Sequence, residues 1–231
     1  MRTLQSSTSS STIIQDIALN DIPLLTKRMI RSLRIRSPLC KSYLEGPIPF
    51  EYGQIRLLSI RQIRSLTELQ IPFFKVSQLN DFTLAQIQAL QTPQVRALKK
   101  KQICNLDIRW IKWLTPFQVS ALQPWQIRAL RVDHVQALNT DQIDALSSMQ
   151  IKAFTKDQVQ AMSENQVYIF SKDQFAKFTC KQLKVLSHAQ MMRRSWCERM
   201  TVKCKLLMYK CFCCRTSRDV SSYSNSASNS A

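Results

Sequence analysis

A glutamine recurs every eight residues from Gln54 to Gln190, and within this span only Trp110 and His134 replace it. A branched aliphatic residue follows the glutamine, and a large apolar residue lies four positions after it. Ser or Thr commonly stands three positions before it, so the consensus is [ST]-x-x-Q-[IV]-x-A-L. Eight residues cannot bury their own apolar face, and successive units must therefore stack on one another.

The octad predicts a chain of short helices. One continuous helix does not fit, because eight residues at about 100° each exceed two turns by about 80° and the apolar stripe would spiral. The spacing of three between Ile127 and Leu130 suits one face of a helix and opposite faces of a strand. We therefore expect an all-α solenoid of short two-turn helices from tandem octapeptide repeats, with disordered N- and C-terminal tails. Two octads would make one coil.

The hydroxyl and the glutamine of each octad together predict a helix start. A Ser or Thr N-cap accepts a hydrogen bond from the backbone N–H three residues on, and a Gln there binds the N–H of the cap in return. Thr115 to Gln118 illustrates this capping box, with Pro116 at the first helical position. Two interpretations of the glutamines stay open. They satisfy helix ends, or they form a polar ladder that recognises a ligand.

The two exceptions to the glutamine series have their own interpretations. His134 reads as a structural variant, neither a metal ligand nor a base. Trp110 and the nearby Trp113 mark either a bulge in the solenoid or a local contact surface.

The chain divides by composition into five segments. Residues 1–12 form a disordered leader without the apolar core of a secretory signal peptide, and residues 13–53 form a helical N-terminal cap. The octapeptide solenoid occupies 54–190. A basic, Cys-rich amphipathic segment follows at 191–215, and a disordered tail at 216–231. No stretch has the roughly twenty apolar residues of a transmembrane helix.

The net charge of +18 favours anionic partners, either nucleic acid or the negative leaflet of a membrane. If two octads make one coil, four basic residues at multiples of sixteen line one edge. They are Arg64, Arg96, Lys112 and Arg128. This basic edge could follow the phosphates of a nucleic acid. The alternative is a solvated face that keeps the array soluble.

Five of the eight cysteines lie after residue 190, in a segment that is both basic and apolar. The spacing of seven from Cys197 to Cys204 and from Cys204 to Cys211 is a weak zinc signal, and a disulfide framework does not fit a chain without a signal peptide. Cysteines beside a basic amphipathic segment are typical palmitate acceptors. The expected acceptors are Cys211, Cys213 and Cys214, and the expected contacts to an anionic membrane are Lys203, Lys205, Lys210 and Arg215. A metal site or a reduced, buried cluster stays open.

Two resemblances bear on function. The stretch from Leu114 to Leu122 resembles the L-T-P-x-Q-V opening of repeats in plant-pathogen DNA-binding effectors, over one helix start only. The octad over residues 54–190 resembles [LF]-[ST]-x-x-Q-[IV]-x-A-L arrays in secreted and surface proteins of symbiotic and pathogenic bacteria. The Ser/Thr-rich first dozen residues resemble the leader of a type III secreted effector. These resemblances imply a protein secreted into a host cell.

No catalytic constellation is recognisable. His134 and His188 have no paired carboxylate or nucleophile at a telling spacing, and there is no Gly-rich phosphate loop. We expect a non-enzymatic interaction scaffold without cofactor or metal, which binds a host protein and is held at an anionic host membrane surface by its C-terminal segment. The alternative is a nucleic-acid-binding repeat protein that uses the basic edge.

Overall fold

The structure, a computed structural model, describes residues 54–195 and 198–207. The chain forms two compact units, Met1–Ala129 and Leu130–Ala231. The predictions for the leader, the N-terminal cap and the final tail lie outside the described residues. So do those for Lys210, Arg215 and the three cysteines Cys211, Cys213 and Cys214.

Every regular element among the described residues is a short helix, as the octad predicts. The first unit contains the 3-10 helices η1 (Gln54–Leu57) and η2 (Ile71–Phe73) and the α-helices α1 (Ile60–Ser65), α2 (Val76–Asn80), α3 (Leu84–Ala89), α4 (Thr92–Arg96), α5 (Lys100–Ile103), α6 (Ile108–Trp113), α7 (Pro116–Ala121) and α8 (Pro124–Ala129). The second unit contains α9 (Val132–Gln136), α10 (Thr140–Asp144), α11 (Ser148–Ala153), α12 (Lys156–Ala161), α13 (Glu164–Ile169), α14 (Lys172–Phe175), α15 (Cys180–Leu183) and α16 (His188–Met192). Residues 198–207 are also helical.

We number the octad from its N-cap, so that the glutamine is position 4, the aliphatic residue position 5 and the large apolar residue position 8. The predicted capping boxes are confirmed. In α7 the backbone N–H of Gln118 donates to Thr115 Oγ1 at 3.2 Å, and Gln118 Oε1 accepts from the N–H of Thr115 at 2.9 Å. The same two hydrogen bonds cap the N-terminus of α12, between Thr155 and Gln158, and that of α16, between Ser187 and Gln190. Helices whose cap is Ser or Thr therefore start at that hydroxyl, whereas α2, α4, α5 and α9 keep the glutamine or histidine half of the box at the caps Lys75, Gln91, Lys99 and Arg131.

The core of each unit is built from positions 5 and 8. Ile87, Val119, Val135 and Ile151 at position 5 are fully buried, and the position-8 residues are nearly so. Alanines at position 7, such as Ala89 and Ala121, are buried beside them. Because each helix has only about two turns, almost all of its stability must come from this stacking and little from helix propensity.

The amide nitrogen of the glutamine, Nε2, forms hydrogen bonds to a neighbouring turn of the solenoid. In the first unit, Gln118 Nε2 donates to the carbonyls of Ile87 at 2.7 Å and Leu90 at 2.8 Å. In the second unit, Gln166 Nε2 donates to the carbonyls of Val135 and Leu138. These acceptors are positions 5 and 8 of the octad four repeats earlier, at the end of a helix. The position-5 carbonyl also accepts from the N–H of position 8 of its own octad, as Ile87 does from Leu90 at 3.1 Å. One side chain thus satisfies the start of its own helix and the end of another.

The expected coil of two octads is wrong. Glutamines bond to carbonyls 28 and 31 residues earlier. Helices pack three octads apart, as α3 does with α6, α4 with α7 and α10 with α13. Each octad therefore contacts those three and four repeats away, and one coil takes between three and four octads.

Trp110 shows what the glutamine position requires. Its indole Nε1 donates to the carbonyl of Leu79 at 2.6 Å, in place of one hydrogen bond from a glutamine amide. An indole has no acceptor, and the N–H of the cap residue Asp107 donates instead to Asn80 Oδ1 at 2.9 Å. Trp110 is buried against Phe82, so it is neither a bulge nor part of a contact surface.

His134 is a structural variant, as its sequence context predicts. The side chain is fully buried, and Nδ1 accepts from the N–H of Arg131 at 3.4 Å. Imidazole Nδ1 therefore accepts the hydrogen bond that Gln Oε1 accepts in the other capping boxes.

A further capping box follows the last glutamine of the series, Gln190. Glu198 stands eight residues after Gln190, and its Oε2 accepts from the N–H of Ser195 at 2.9 Å. A carboxylate cannot donate, and Arg194 supplies the donors. Its Nη2 donates to Glu198 Oε1 at 2.5 Å, and its Nη1 donates to the carbonyls of Val167 at 3.2 Å and Phe170 at 2.6 Å. The Arg194–Glu198 pair thus performs both functions of the missing glutamine.

Candidate interaction surfaces

The glutamine ladder is internal to the fold. The position-4 side chains that the structure describes are almost all buried, and both ends of the amide bind backbone groups. Of the two sequence interpretations, the one in which the glutamines satisfy helix ends accounts for these contacts. Variable, exposed side chains occur instead at positions 2 and 3, at the start of each helix, and at position 6.

Three members of the predicted basic edge share one side of the first unit. Arg64, Arg96 and Arg128 occupy position 6 and are exposed. They are spaced by 32 residues, the step at which the glutamines connect octads. Arg96 Nε also donates to the carbonyl of Ala121 at 3.0 Å. We call these three residues the arginine row.

Lys112 does not belong to the arginine row. It is exposed, and it lies sixteen residues from Arg96 and from Arg128. With three to four octads in a coil, two octads correspond to about half a coil. The structure therefore places Lys112 away from the line that the sequence spacing predicts.

Large apolar side chains are exposed at position 3 of the first unit. Leu69, Phe117 and Trp125 are 70%, 73% and 46% exposed, and Pro93 is exposed between them. Leu69 to Pro93 and Pro93 to Phe117 are steps of 24 residues, and Pro93 to Trp125 is a step of 32. These are the steps at which helices pack and glutamines bond. The four residues, which we call the apolar stripe, therefore occupy neighbouring octads.

Basic residues flank the apolar stripe. Lys100 and Lys101 begin α5, are exposed, and α5 packs against the helix of Trp125. Residues 54–129 contain eleven Lys or Arg and three Asp or Glu. Two of the three acidic side chains are paired, Asp81 with Arg56 and Asp107 with Arg109. The surface of the first unit is thus basic around an apolar row.

Position 3 of the second unit is richer in acidic residues. Four of its eight described residues are aspartates, in first turns where the helix dipole favours a negative charge: Asp133, Asp141, Asp157 and Asp173. The guanidinium of Arg131 hydrogen-bonds the Asp133 carboxylate and, with His134 nearby, holds the pKa of Asp133 at about 2 against the opposing effect of burial. The helix starts of this unit therefore carry acidic side chains where the first unit carries the apolar stripe.

The predicted membrane contacts that the structure describes lie on helical residues 198–207. Lys203 is exposed, and Lys205 Nζ donates to the carbonyl of Ala176 at 2.5 Å. Met200, Cys204 and Leu207 are also exposed. With Lys203 they follow the spacing i, i+3, i+4, i+7, so they share one face of the helix.

Nothing in the described residues brings a catalytic group together with a partner. His188 is exposed at a helix start, and within residues 54–195 and 198–207 no three His, Cys, Asp or Glu side chains converge as a metal site. The thiols of Cys104 and Cys180 donate to the carbonyls of Ala129 and Lys205, at 3.1 Å and 3.8 Å. In the described part of the chain no helix combines the length and the apolarity needed to span a bilayer.

Part of the repeat array is similar in sequence to a known repeat family. The sequence model of the ALTTAQ repeat matches residues 119–156 and 135–168. Over these residues the chain is similar to a tandem-repeat family, which supports a scaffold-like repeat protein. No curated protein matches the sequence.

Proposed function

We propose that this chain is a non-enzymatic interaction scaffold, a secreted bacterial effector that binds a host protein at a membrane surface. One observation carries the scaffold assignment. The polar side chains buried in the repeats are used in hydrogen bonds to the backbone, whereas the chemically varied side chains stand at exposed positions 2, 3 and 6. A partner would therefore be recognised through the outer surface of the stacked helices.

Attachment to a membrane is supported by the exposed face of residues 198–207. Met200, Cys204 and Leu207 provide an apolar row with a thiol, and Lys203 adds a positive charge beside it. A single lipid chain with neighbouring basic residues is sufficient for stable anchoring. Cys211, Cys213 and Cys214 would accept the lipid, and Lys210 and Arg215 would extend the basic flank.

Expression in eukaryotic cells tests the attachment. We expect the wild-type chain in the membrane fraction, with acyl exchange labelling its cysteines. The variant Cys211→Ser, Cys213→Ser, Cys214→Ser should lose the acyl label and most of its membrane fraction. Cys104→Ser, Cys180→Ser is the matched control, because these thiols lie within the repeats and should not affect localisation. A diffuse wild-type chain, or a triple variant recovered with membranes to the same extent as the wild type, would contradict lipid anchoring.

Binding of nucleic acid is the second candidate function, and the arginine row is the observation that favours it. Phosphate contacts of this kind predict an affinity that falls steeply with salt. The variant Arg64→Gln, Arg96→Gln, Arg128→Gln removes the charges. Gln136 already stands at position 6 and donates to the carbonyl of Ala161 at 3.0 Å, so glutamine can retain the backbone contact of Arg96.

Lys112→Gln separates this function from nonspecific attraction to a basic protein. If the arginine row follows a phosphate backbone, the triple variant should weaken binding in a gel-shift titration by about tenfold or more at low salt, and Lys112→Gln should have a much smaller effect. Salt-insensitive binding, or equal losses per charge removed, would eliminate this candidate.

A further inference from the structure

The apolar stripe is a surface feature that the repeat architecture does not require. Leu69 and Phe117 are mostly exposed and Trp125 is 46% exposed, whereas core packing is completed by positions 5 and 8. The helices of Pro93 and Phe117 pack against each other, and the glutamine of the Trp125 octad bonds to carbonyls of the Pro93 octad. Leu69 precedes Pro93 by the same step of 24 residues. The four residues therefore occupy neighbouring octads of the first unit, although they are far apart in sequence.

We propose that the apolar stripe binds an anionic lipid surface directly. This inference rests on the proposed function of a scaffold at a membrane, and adds a second contact that needs no covalent lipid. Trp and Phe are favoured where an apolar phase meets water, and their side chains here stand at an exposed position of the octad.

Charge complementarity favours an anionic bilayer as the partner of the apolar stripe. Lys100 and Lys101 precede Gln102 on the helix that packs against the helix of Trp125, and both are exposed. The eleven basic and three acidic residues of 54–129 leave a strong positive excess on this unit. Basic residues at an anionic surface add to the insertion of apolar side chains, and the two contributions depend differently on lipid composition.

The experiment uses the full chain with Cys211, Cys213 and Cys214 replaced by Ser, purified without lipidation. Its partition onto phosphatidylserine–phosphatidylcholine vesicles is measured by sedimentation, with pure phosphatidylcholine vesicles as the neutral surface. On this background, Phe117→Ala with Trp125→Ala should lower the partition at least about tenfold. Lys100→Gln with Lys101→Gln should lower it about thirtyfold on the anionic vesicles and little on the neutral ones.

Tyr168→Ala with Met192→Ala is the matched control. Tyr168 and Met192 are exposed apolar residues of the second unit, at position 6 of the octad. This variant should bind vesicles like the background chain. Thermal unfolding of every variant checks that the fold is retained, which is expected because all substituted residues are exposed.

Several results would overturn the proposal. The background chain could fail to bind anionic vesicles, or the aromatic variant could bind as well as its parent. If the aromatic substitution instead converted a dimer to a monomer in analytical ultracentrifugation, the stripe would bind a second copy. If the aromatic substitution abolished binding to a single-stranded oligonucleotide and left vesicle binding unchanged, the stripe would bind nucleic acid and not lipid. If the wild-type chain were diffuse in cells while the unlipidated chain bound anionic vesicles normally, lipid anchoring by the tail would be wrong and binding by the stripe would stand.

Discussion

Two of the three described octads without glutamine, one chosen from each unit, solve the same problem differently. In the first unit, Trp110 keeps the donor to an earlier carbonyl and loses the acceptor, which Asn80 supplies to the cap of Asp107. In the second unit, Glu198 keeps the acceptor and loses the donor, which Arg194 supplies. The comparison shows that the fold requires a donor and an acceptor at this point, and that glutamine is the single side chain that contains both.

The largest effect should come from removing an intact glutamine. Gln118→Leu deletes the acceptor for the N–H of Thr115 and the donor to the carbonyls of Ile87 and Leu90, in a buried site. Unsatisfied buried groups cost about 1–3 kcal/mol each, so we expect a loss of about 3–5 kcal/mol in the free energy of unfolding. Urea unfolding measures it.

Gln88→Leu is the control for this change, since Gln88 is exposed at position 6 of its octad. We expect its effect to stay within about 0.5 kcal/mol. Equal losses for the two variants would mean that the ladder adds nothing beyond a surface glutamine.

The next effect concerns the substitute pair in the second unit. Arg194→Met removes the donor to Val167 and Phe170 and leaves the Glu198 carboxylate without its ion pair. We expect a loss of about 2–4 kcal/mol, measured by native-state hydrogen exchange of the last octads.

Adding Glu198→Gln to Arg194→Met restores the consensus glutamine in that octad. The double variant should recover most of the lost stability, because one amide can then make all the bonds. If it were no more stable than Arg194→Met, the pair would not be a replacement for glutamine.

A smaller effect is expected for the substitute in the first unit. Trp110→Phe keeps a ring against Phe82 and removes the indole donor to the carbonyl of Leu79. We expect a loss of about 1–2 kcal/mol in urea unfolding. Trp110→Gln restores both bonding groups but loses the packing of the indole, and an increase in stability for this variant would show that hydrogen bonding dominates at the site.

The smallest effect is a pH dependence limited to the second unit. Burial raises the pKa of Glu198, but the hydrogen bonds from Ser195 and the charge of Arg194 outweigh it and hold that pKa below its ordinary value. A carboxyl with a lowered folded-state pKa contributes stability above its unfolded pKa, and this contribution is lost as the pH falls through the folded value. Exchange of the Ser195 amide should therefore accelerate, relative to its intrinsic rate, below the ordinary Glu range. In Glu198→Gln the acceleration should be absent.

Part of this arrangement was predictable from residues close in sequence. Thr115 and Gln118 belong to one helix start, so the capping box is a local property and its prediction is confirmed. The last box carries the same signal, since Ser195 and Glu198 stand eight residues after Ser187 and Gln190 and an S-x-x-E spacing forms a capping box.

The surfaces were less predictable, because they depend on the number of octads in a coil. Arg96 and Lys112 stand at the same octad position, and only the coil separates Lys112 from the arginine row. Pro93 and Trp125 are 32 residues apart and become neighbours for the same reason. The lipid acceptors Cys211, Cys213 and Cys214 stay predictions that the experiments above address.

The sequence by itself determined where each helix begins, which residues enter the core and which backbone N–H the glutamine oxygen binds, because these depend on a few neighbouring residues. Only the tertiary structure decided which octads meet. Near-identical octads present the same apolar faces, so many different pairings of octads would bury them. The angle between successive short helices determines that the contacts form between octads three and four repeats apart. Once that angle is set, the amide nitrogen finds carbonyls 28 and 31 residues earlier, and the exposed side chains are sorted into a row of arginines and a stripe of apolar residues.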